Sequence, residues 1–327
     1  MFTNKIILIT GGTGSFGNEF VEKTLKKYNP KKIIIYSRDE LKQFNMMNKF
    51  RSDKLRFFLG DIRDKERLLR ACRGIDILIH AAALKQVVAA EYNPDEYIKT
   101  NINGAKNIID VAIECKIKKV LALSTDKASN PINFYGVTKL ASDKLMVAAN
   151  NISTSKTLFS VVRYGNVSGS RGSVIPFFKR LIKEKSKFIP ITDKNMTRFW
   201  ITLDQAYDFV CNSVKNMKGG EMFIPKIPSI RILDLANAFD SKIKKKIVGI
   251  RPGEKLHETM FNKEECLNVI EFKNYYIVKP SIVFYKQRNY FINSSKEKGK
   301  MLKNFFEYNS GTNRHFLNIN QINKLIN

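Results

Sequence analysis

The sequence predicts an α/β fold with a doubly wound parallel sheet, followed by a smaller C-terminal domain. Three observations lead to this prediction. Short apolar runs alternate with longer amphipathic segments, a glycine-rich turn follows the first run, and the alternation becomes irregular after about Asn166. Continuously apolar strands are typical of parallel sheets that helices cover on both faces. Strand and helix in alternation form the βαβ pattern of a Rossmann-type sheet.

Six apolar runs are the predicted strands of the first half. They are Lys5–Thr10, Lys32–Tyr36, Leu55–Leu59, Ile75–His80, Val120–Ser124 and Phe159–Tyr164. The segments between them are long enough for crossover helices, among them Phe20–Lys27, Asn101–Cys115 and Tyr135–Ala149. His80 lies within an apolar run, so we interpret it as a packed core histidine rather than a catalytic one.

The second half of the chain is less regular, because Pro and Gly recur between short aromatic strands. Thr202–Met217 still has the pattern of an amphipathic helix, which begins near Asp204. We predict a dinucleotide-binding domain over residues 1–165, with a returning segment near 198–218. Residues 166–327 are predicted to form a substrate-binding domain that is partly interleaved with the first.

Composition restricts the class of protein. The chain of 327 residues has 57 Lys and Arg against 30 Asp and Glu, a net charge of +27. Such a charge is compatible with nucleic-acid binding, but no zinc-finger or RNA-recognition pattern accompanies it, and an anionic small substrate would also benefit. No apolar run reaches the roughly 18 residues that span a bilayer. We expect a cytoplasmic protein with no signal peptide, no membrane insertion, no metal and no nucleic-acid partner.

A glycine-rich turn follows the first predicted strand and precedes a helix. Its glycines permit a tight turn, close approach of a pyrophosphate and close helix packing. The free N–H groups and the dipole at the helix N-terminus favour that anion. An ordinary glycine-rich turn is the alternative, but the βαβ setting favours a dinucleotide. The predicted contacts are Gly11, Thr13, Gly14, Ser15, Phe16 and Gly17.

The end of the second strand bears on the choice of cofactor. NAD sites commonly have a carboxylate there, for the ribose 2′-OH. This strand instead runs into Ser37 and Arg38, with Lys42 beyond, and such groups suit a 2′-phosphate. We therefore predict NADP, tightly bound and regenerated in each cycle. The alternative is that Arg38 is a surface charge and Asp39 turns inward to bind NAD.

Other predicted cofactor contacts follow the third and fourth strands. Asp61 is placed to meet the adenine edge, although it could equally cap the following turn. Small residues after the fourth strand would let the cofactor lie flat. The contacts predicted here are Asp61, Ile62, Ala81 and Lys85.

Tyr135 and Lys139 form the first part of the predicted catalytic group. Four residues apart, they share one helix face, where the ammonium can lower the pKa of the phenol. Such a phenol can take a proton from an alcohol. Asp126 and Lys127 are a second titratable pair, which simple alcohol oxidation does not require. The alternatives are a helix-packing aromatic for Tyr135 and a loop ion pair for Asp126 and Lys127.

These motifs resemble the extended short-chain dehydrogenase/reductase superfamily. Within it, the whole chain resembles the inverting UDP-N-acetylglucosamine 4,6-dehydratases, which begin pseudaminic acid biosynthesis. The segments that carry the resemblance are Ser37–Lys42, Ala82–Lys85, Leu123–Lys127, Asn130–Asn133, Arg163–Val167 and Arg251–Lys255. The family usually has His and Pro where this chain has Gln86 and Val88, a difference that bears on sugar preference more than on reaction class.

The resemblance implies a role for each catalytic residue. Tyr135 would take the proton of the sugar 4-OH while hydride leaves C4, and Lys139 would hold the nicotinamide ribose. Thr125 would hydrogen-bond the 4-oxyanion, Asp126 would help the C6 hydroxyl to leave, and Lys127 would move the C5 proton. Retaining relatives have Asp-Glu in place of Asp126–Lys127, so the lysine implies inversion at C5.

The resemblance also implies how the substrate, a UDP-sugar, is held. Lys85 would touch cofactor or substrate, Asn166 the diphosphate region, and Arg251 a pyrophosphate, for which its fork is suited. Each could instead be a surface charge or a loop cap. We further expect a homo-oligomer.

Parts of the sequence are also compatible with three rival functions. A nucleotide-sugar 4-epimerase, or a dehydratase of another hexose, shares most of these motifs, although an epimerase needs no Asp-Lys pair. A non-catalytic NADP sensor would need no phenol base. A basic nucleic-acid binder would show salt-sensitive DNA binding without turnover.

Overall fold

The computed structural model describes residues 1–153, 156–170, 172–240, 242–286 and 288–326. Its largest element is a ten-stranded sheet. The strands are β1 (Ile6–Thr10), β2 (Lys32–Ser37), β3 (Leu55–Leu59), β4 (Ile77–His80), β5 (Lys119–Thr125), β6 (Leu158–Tyr164), β7 (Asn166–Val167), β8 (Phe188–Ile191), β9 (Thr197–Ile201), β10 (Met222–Pro225), β11 (Ser229–Arg231), β12 (Lys244–Ile247), β13 (Thr259–Phe261), β14 (Val269–Glu271), β15 (Tyr275–Val278), β16 (Lys300–Met301) and β17 (Tyr308–Asn309).

The helices lie mainly between the strands of the first half. They are α1 (Ser15–Lys27), α2 (Glu40–Phe50), α3 (Lys65–Cys72), α4 (Val87–Tyr92), α5 (Pro94–Tyr97), α6 (Gly104–Glu114), α7 (Phe134–Ile152), α8 (Val174–Lys183), α9 (Leu203–Asn216), α10 (Ile232–Phe239), α11 (Lys263–Cys266) and α12 (Ile319–Ile326). A π-helical turn, Ile98–Asn103, precedes α6, and a 3-10 turn, Asp126–Ala128, follows β5. None of the helices in the described ranges is both long and apolar enough to cross a bilayer.

The doubly wound parallel sheet predicted from the sequence is confirmed. Its order is β3-β2-β1-β4-β5-β6-β10-β15-β14-β16, and the seven strands from β3 to β10 pair in parallel. The six predicted strands correspond to β1–β6, with ends that differ by one or two residues. The order reverses beside β1, where β4 and β2 flank it, and ligands bind at such a switch point.

The second half of the chain adds strands to this sheet outside the predicted returning segment 198–218. That segment forms β9, which pairs with β7 and β11 in a separate sheet, and α9, which packs on α1, where the rings of Tyr207 and Phe20 lie 5.8 Å apart. Four later strands, β10, β14, β15 and β16, extend the sheet beyond β6. A separate apolar cluster joins α8, β8, α10 and α12. The division at residue 165 stays a prediction.

His80 is a core histidine, as predicted. It is 2% exposed, and its Nδ1 lies 2.8 Å from Thr10 Oγ1. Burial, assisted by the charge of Lys139, lowers the pKa of His80 to about 3, so the ring is neutral.

Arg163 is a fully buried cation that links β6 to α7 and to α11. Its Nη2 lies 3.4 Å from Asp143 on α7, and its Nη1 lies 3.2 Å from Glu265 on α11. Nη1 also donates to the Met260 carbonyl oxygen at 2.7 Å. Burial raises the pKa of Asp143, and the attraction of Arg163 opposes that rise. Removing the cation would leave a buried carboxylate unpaired.

We therefore expect Arg163→Met to destabilise the protein by about 3–5 kcal/mol. The measurement is urea unfolding followed by circular dichroism. Lys26→Met is the matched control, because Lys26 pairs with Glu22 at 2.8 Å on the exposed face of α1. Exposed pairs add little stability, so the control midpoint should stay at its wild-type value. Equal midpoints for the two variants would show that the buried pair is not a stability determinant.

Candidate active site

One cleft of about 640 Å³ lies at the carboxyl ends of the parallel strands. It is lined by the turns that follow β1 to β6. Most residues predicted to bind cofactor or substrate line this cleft, including Gly11, Thr13, Gly14, Ser15, Phe16, Gly17, Ser37, Arg38, Lys42, Asp61, Ile62, Ala81, Lys85, Thr125, Lys127, Tyr135, Lys139 and Asn166.

The glycine-rich turn has no room for side chains at its two ends. Gly11 has φ +63°, and a Cβ there would lie 2.9 Å from the backbone of Ala82. A Cβ on Gly17 would lie 2.1 Å from the Gly12 carbonyl oxygen. The turn therefore brings bare backbone to the start of α1 at Ser15, and this geometry fits a pyrophosphate at a helix N-terminus.

At the end of β2, the carboxylate that could select NAD is directed to the next helix. Asp39 is the N-cap of α2 and accepts a hydrogen bond from the backbone N–H of Lys42 at 2.9 Å. The Lys42 ammonium also pairs with the Asp39 carboxylate. Ser37 and Thr13 lie side by side, with their hydroxyl oxygens 2.8 Å apart. This rim of the cleft therefore combines two hydroxyl groups with the cations Arg38 and Lys42 and the carboxylates Asp39 and Asp61.

Asp61 has the position expected of a cleft residue and also the hydrogen bond expected of a turn cap. It lines the cleft, and its Oδ1 also caps the following turn by accepting from the Arg63 backbone N–H at 3.0 Å. Arg38 reaches its Oδ2 at 3.4 Å, and Arg63 reaches it at 2.7 Å. Partial burial alone would raise the pKa of Asp61, but the hydrogen bonds from Arg63 hold it below its usual value. Asp61 is therefore an ionised acceptor at the edge of the cleft.

Lys127 lies between two buried carboxylates. Its Nζ is 3.0 Å from Asp126 Oδ1 and 3.2 Å from Glu258 Oε1. Burial alone would lower the pKa of Lys127, but the two carboxylates raise it above its usual value. Asp126 is fully buried beneath the cleft, and burial raises its pKa. The predicted pair is thus in contact, with one more acidic partner than the sequence predicted.

Tyr135 is held close to this pair at the start of α7. It is 8% exposed, and burial raises the pKa of its phenol to about 12. The charge of Lys127 and the nearby Thr125 hydroxyl act in the opposite direction. Thr125 Oγ1 donates to Asp126 Oδ1 at 3.0 Å, and Lys127 Nζ donates to the same oxygen at 3.0 Å. Thr125, Asp126 and Lys127 are therefore joined by hydrogen bonds, and the Tyr135 phenol lies close to them.

Lys139 has a different immediate partner from the one predicted. Its Nζ donates to the Leu123 carbonyl oxygen at 2.9 Å, and burial lowers the pKa of its ammonium. The cation that lowers the pKa of Tyr135 is Lys127. Lys139 still lines the cleft one turn from Tyr135, where a ribose could meet it.

The three predicted substrate contacts lie in different settings. Asn166, in β7, and Lys85, after β4, both line the cleft. The pKa of Lys85 is lowered by burial of its ammonium and by the nearby charge of Lys127. Arg251 is exposed and lies 3.8 Å from Glu254, outside the described residues that line the cleft.

Sequence reasoning missed the segment that closes the site from the second half. Glu258 is 2% exposed and contacts Lys127, while Lys255 Nζ donates to the Ser129 carbonyl oxygen at 2.7 Å. The cap residue of α7, Asn133, donates to the Gly253 carbonyl oxygen at 2.8 Å. The motif Arg251–Lys255 stops three residues short of Glu258, and only the fold brings that glutamate to Lys127.

Comparison with known proteins agrees with this geometry. The family model described as polysaccharide biosynthesis protein matches residues 7–280. An inverting UDP-N-acetylglucosamine 4,6-dehydratase of Campylobacter jejuni is 56% identical over 329 residues, which cover 100% of this chain and 98% of that protein. A UDP-glucose 4-epimerase of Rickettsia akari is 40% identical and covers 100% of this chain and 96% of its own length.

A solved structure extends the agreement to the fold. The X-ray structure of Pen from Bacillus thuringiensis superposes with a TM-score of 0.90 at 37% identity, covering 100% of this chain and 98% of that one. The resemblance based on motifs is confirmed: the chain belongs to the polysaccharide biosynthesis protein family, together with the inverting UDP-N-acetylglucosamine 4,6-dehydratases.

Proposed function

We propose that this protein is a UDP-N-acetylglucosamine 4,6-dehydratase that inverts C5. The product would be UDP-2-acetamido-2,6-dideoxy-β-L-arabino-hex-4-ulose. One observation carries the proposal: the hydrogen-bonded Asp126–Lys127 pair lies close enough to Tyr135 to act on its ionisation at the cleft. The relative at 56% identity, itself an inverting dehydratase, supports it. The epimerase relative is less similar, and epimerisation needs no such pair.

The residues around the cleft fit a nicotinamide dinucleotide, and we propose NADP. The bare glycine-rich turn suits the pyrophosphate, while Ser37, Arg38 and Lys42 suit a 2′-phosphate. The role of Asp39 as a helix cap supports NADP over NAD. When bound, the nicotinamide would accept hydride from sugar C4 and return it at C6, so the cofactor would be unchanged over a cycle.

Tyr135 is the base of the oxidation step in this proposal. Its phenolate would take the proton of the sugar 4-OH, and the charge of Lys127 would stabilise that phenolate. In this step the Thr125 hydroxyl would donate to the developing 4-oxyanion. After Asp126 has given its proton to the departing C6 hydroxyl, the proton held by Tyr135 would pass to that carboxylate through the Thr125 hydroxyl, which donates to Asp126 Oδ1 at 3.0 Å.

Asp126 and Lys127 perform the elimination. A proton that moves along their 3.0 Å hydrogen bond converts the ion pair into a carboxylic acid and a free amine. The amine takes the acidic proton from C5, the C5–C6 double bond forms, and the C6 hydroxyl leaves with the proton of Asp126 as water. The pair ends as ammonium and carboxylate. Burial raises the pKa of Asp126, which suits a carboxyl group that must give up a proton.

Substrate contacts and setting follow as further parts of the proposal. Lys85 and Asn166 would bind the sugar diphosphate, and the exposed fork of Arg251 would bind the pyrophosphate. We also propose that the protein is a cytoplasmic homo-oligomer that supplies pseudaminic acid biosynthesis, with no nucleic-acid partner. The relationship to the inverting dehydratases supports this setting.

The first test is NMR of the product formed from UDP-N-acetylglucosamine in deuterated water. We expect a C6 methyl group, a 4-keto group, solvent deuterium at C5 and the inverted C5 configuration. UDP-N-acetylgalactosamine would instead indicate a 4-epimerase. A 6-deoxy-4-keto product without deuterium at C5 would contradict the proposed elimination.

The second test is Lys127→Ala. We expect dehydration to fall by roughly 100-fold or more, because the proton-transfer group is lost. C4 oxidation should also need a higher pH, since removal of the ammonium raises the pKa of Tyr135 further. Both are measured by product NMR and by cofactor absorbance in single turnovers.

Lys118→Ala is the matched control for this variant. Lys118 lies just before β5, and its exposed side chain pairs with Asp76. The control variant should retain wild-type turnover. Unchanged product and rate in the Lys127 variant would refute the role assigned to Lys127.

The third test is Arg38→Ala, with cofactor affinity measured by calorimetry. We expect the Kd of NADP+ to rise by about tenfold or more, because a charged hydrogen bond is lost, while the Kd of NAD+ stays nearly constant. Arg51→Ala is the control, because Arg51 caps the far end of α2. Tighter binding of NAD+ than of NADP+ by the wild-type protein would overturn the choice of NADP.

A further inference from the structure

Glu258 is a buried carboxylate for which the proposed reaction has no direct use. It lies immediately before β13, where its backbone N–H donates to Ser310 Oγ at 2.9 Å. Its Oε1 is 3.2 Å from Lys127 Nζ and 3.8 Å from Arg198 Nε on β9. Its Oε2 is buried with no hydrogen-bond partner in the described structure. A buried charge is costly unless it is paired, so Glu258 depends on its two cations.

Glu258 restricts the direction in which Lys127 can act. An ammonium has three N–H donors. One of them donates to Asp126 Oδ1, and the Glu258 carboxylate attracts the ammonium from 3.2 Å on its buried side. The Lys127 side chain is 22% exposed and lines the cleft, so an N–H that Asp126 does not use is available to a substrate atom.

Glu258 also affects which group holds the shared proton. Paired with Asp126 alone, Lys127 could give its proton to a carboxylate whose pKa burial already raises. Burial would raise the pKa of Glu258 too, but Lys127, Arg198 and Lys255 hold it below its usual value. Glu258 therefore stays ionised and favours the ammonium form of Lys127.

Other charged and titratable groups act on Lys127 from several elements. Arg198 on β9 opposes the effect of Glu258, as a like charge. The same ammonium acts on Lys85 after β4, on Lys255 before β13 and on Tyr135 of α7. Among the described residues, the charged and titratable groups found to interact with Lys127 are Asp126, Glu258, Arg198, Tyr135, Lys85 and Lys255.

We propose that Glu258 is a positioning residue that keeps Lys127 protonated and directed at the sugar for protonation of C5. This inference rests on the proposed function. Once C6 is reduced, C5 bears an electron pair conjugated with the 4-keto group. That pair takes a proton from Lys127 Nζ after the sugar ring has turned its other face to the lysine, so a C5–H bond forms with inversion, an N–H bond breaks, and Lys127 becomes a neutral amine. Glu258 remains a carboxylate throughout.

The test is the pH profile of kcat for Glu258→Gln. Removal of the negative charge lowers the pKa of Lys127, so the alkaline decline of kcat should begin about one pH unit or more below its wild-type position. KM should change by less than about threefold, because Glu258 does not line the cleft. Glu258→Asp keeps the charge and should restore most of the alkaline range.

Two further variants separate this role from a structural one. Arg198→Met removes the opposing cation, so its alkaline decline should begin at or above the wild-type pH. Glu221→Gln is the matched control, because Glu221 is a fully buried carboxylate just before β10. Its Oε1 accepts a hydrogen bond from the Lys218 backbone N–H. This substitution should reduce thermal stability and leave the pH profile unchanged.

The outcomes distinguish this inference from the function on which it rests. If the wild-type protein yields no 6-deoxy-4-keto product, the proposed function fails. If it does, and the Glu258→Gln and wild-type profiles coincide, the positioning role fails. Should Glu258→Gln not fold, an acid shift in Arg198→Met would overturn the inference, and an unshifted or alkaline-shifted profile would support it.

Discussion

The site depends on charges that are buried at the end of β5 and must be paired there. The Lys127 ammonium lies 3.0 Å from Asp126 Oδ1 and 3.2 Å from Glu258 Oε1, so it contacts both carboxylates. An isolated charge in this position would lose or gain a proton, because desolvation disfavours the charged form. Each group therefore sets the ionisation of the others. The same coupling that makes the cluster costly to bury also makes its protons available for transfer.

This constraint explains why the second half of the chain must dock on the first. Glu258 and Lys255 reach the active site from the segment that precedes β13, and Asn133 ties the start of α7 to Gly253. Behind the site, Arg163 joins β6 to α7 and α11. The site is thus complete only when the segment that precedes β13 is in place, although the predicted catalytic residues all lie in the first half.

Elements with local sequence signals could be predicted, and those that depend on distant partners could not. Apolar runs predict the strands β1 to β6. Glycines predict the turn after β1, because Gly11 and Gly17 lie where a Cβ would collide with backbone atoms. The contact of Glu258 with Lys127 joins residues 131 positions apart, and no spacing rule predicts such a pair. The role of Asp39 as a helix cap was likewise hidden, because a carboxylate after β2 is equally compatible with ribose binding until its hydrogen bond is seen.

The closeness of Tyr135 and Thr125 to the Asp126–Lys127 pair has a physical reason in the proton balance of the proposed dehydratase reaction. An epimerase reduces C4 again, so the proton taken from the 4-OH returns to the same oxygen and needs no other acceptor. A dehydratase keeps the ketone, so that proton must go elsewhere. In the proposed mechanism Asp126 lacks a proton once it has given one to the departing hydroxyl, and the Thr125 hydroxyl, which donates to Asp126 Oδ1, lies close to the phenol that holds one. Transfer from the phenol to Asp126 would restore the phenolate and the acid together, so the cluster would be ready for another cycle without a net proton from solvent.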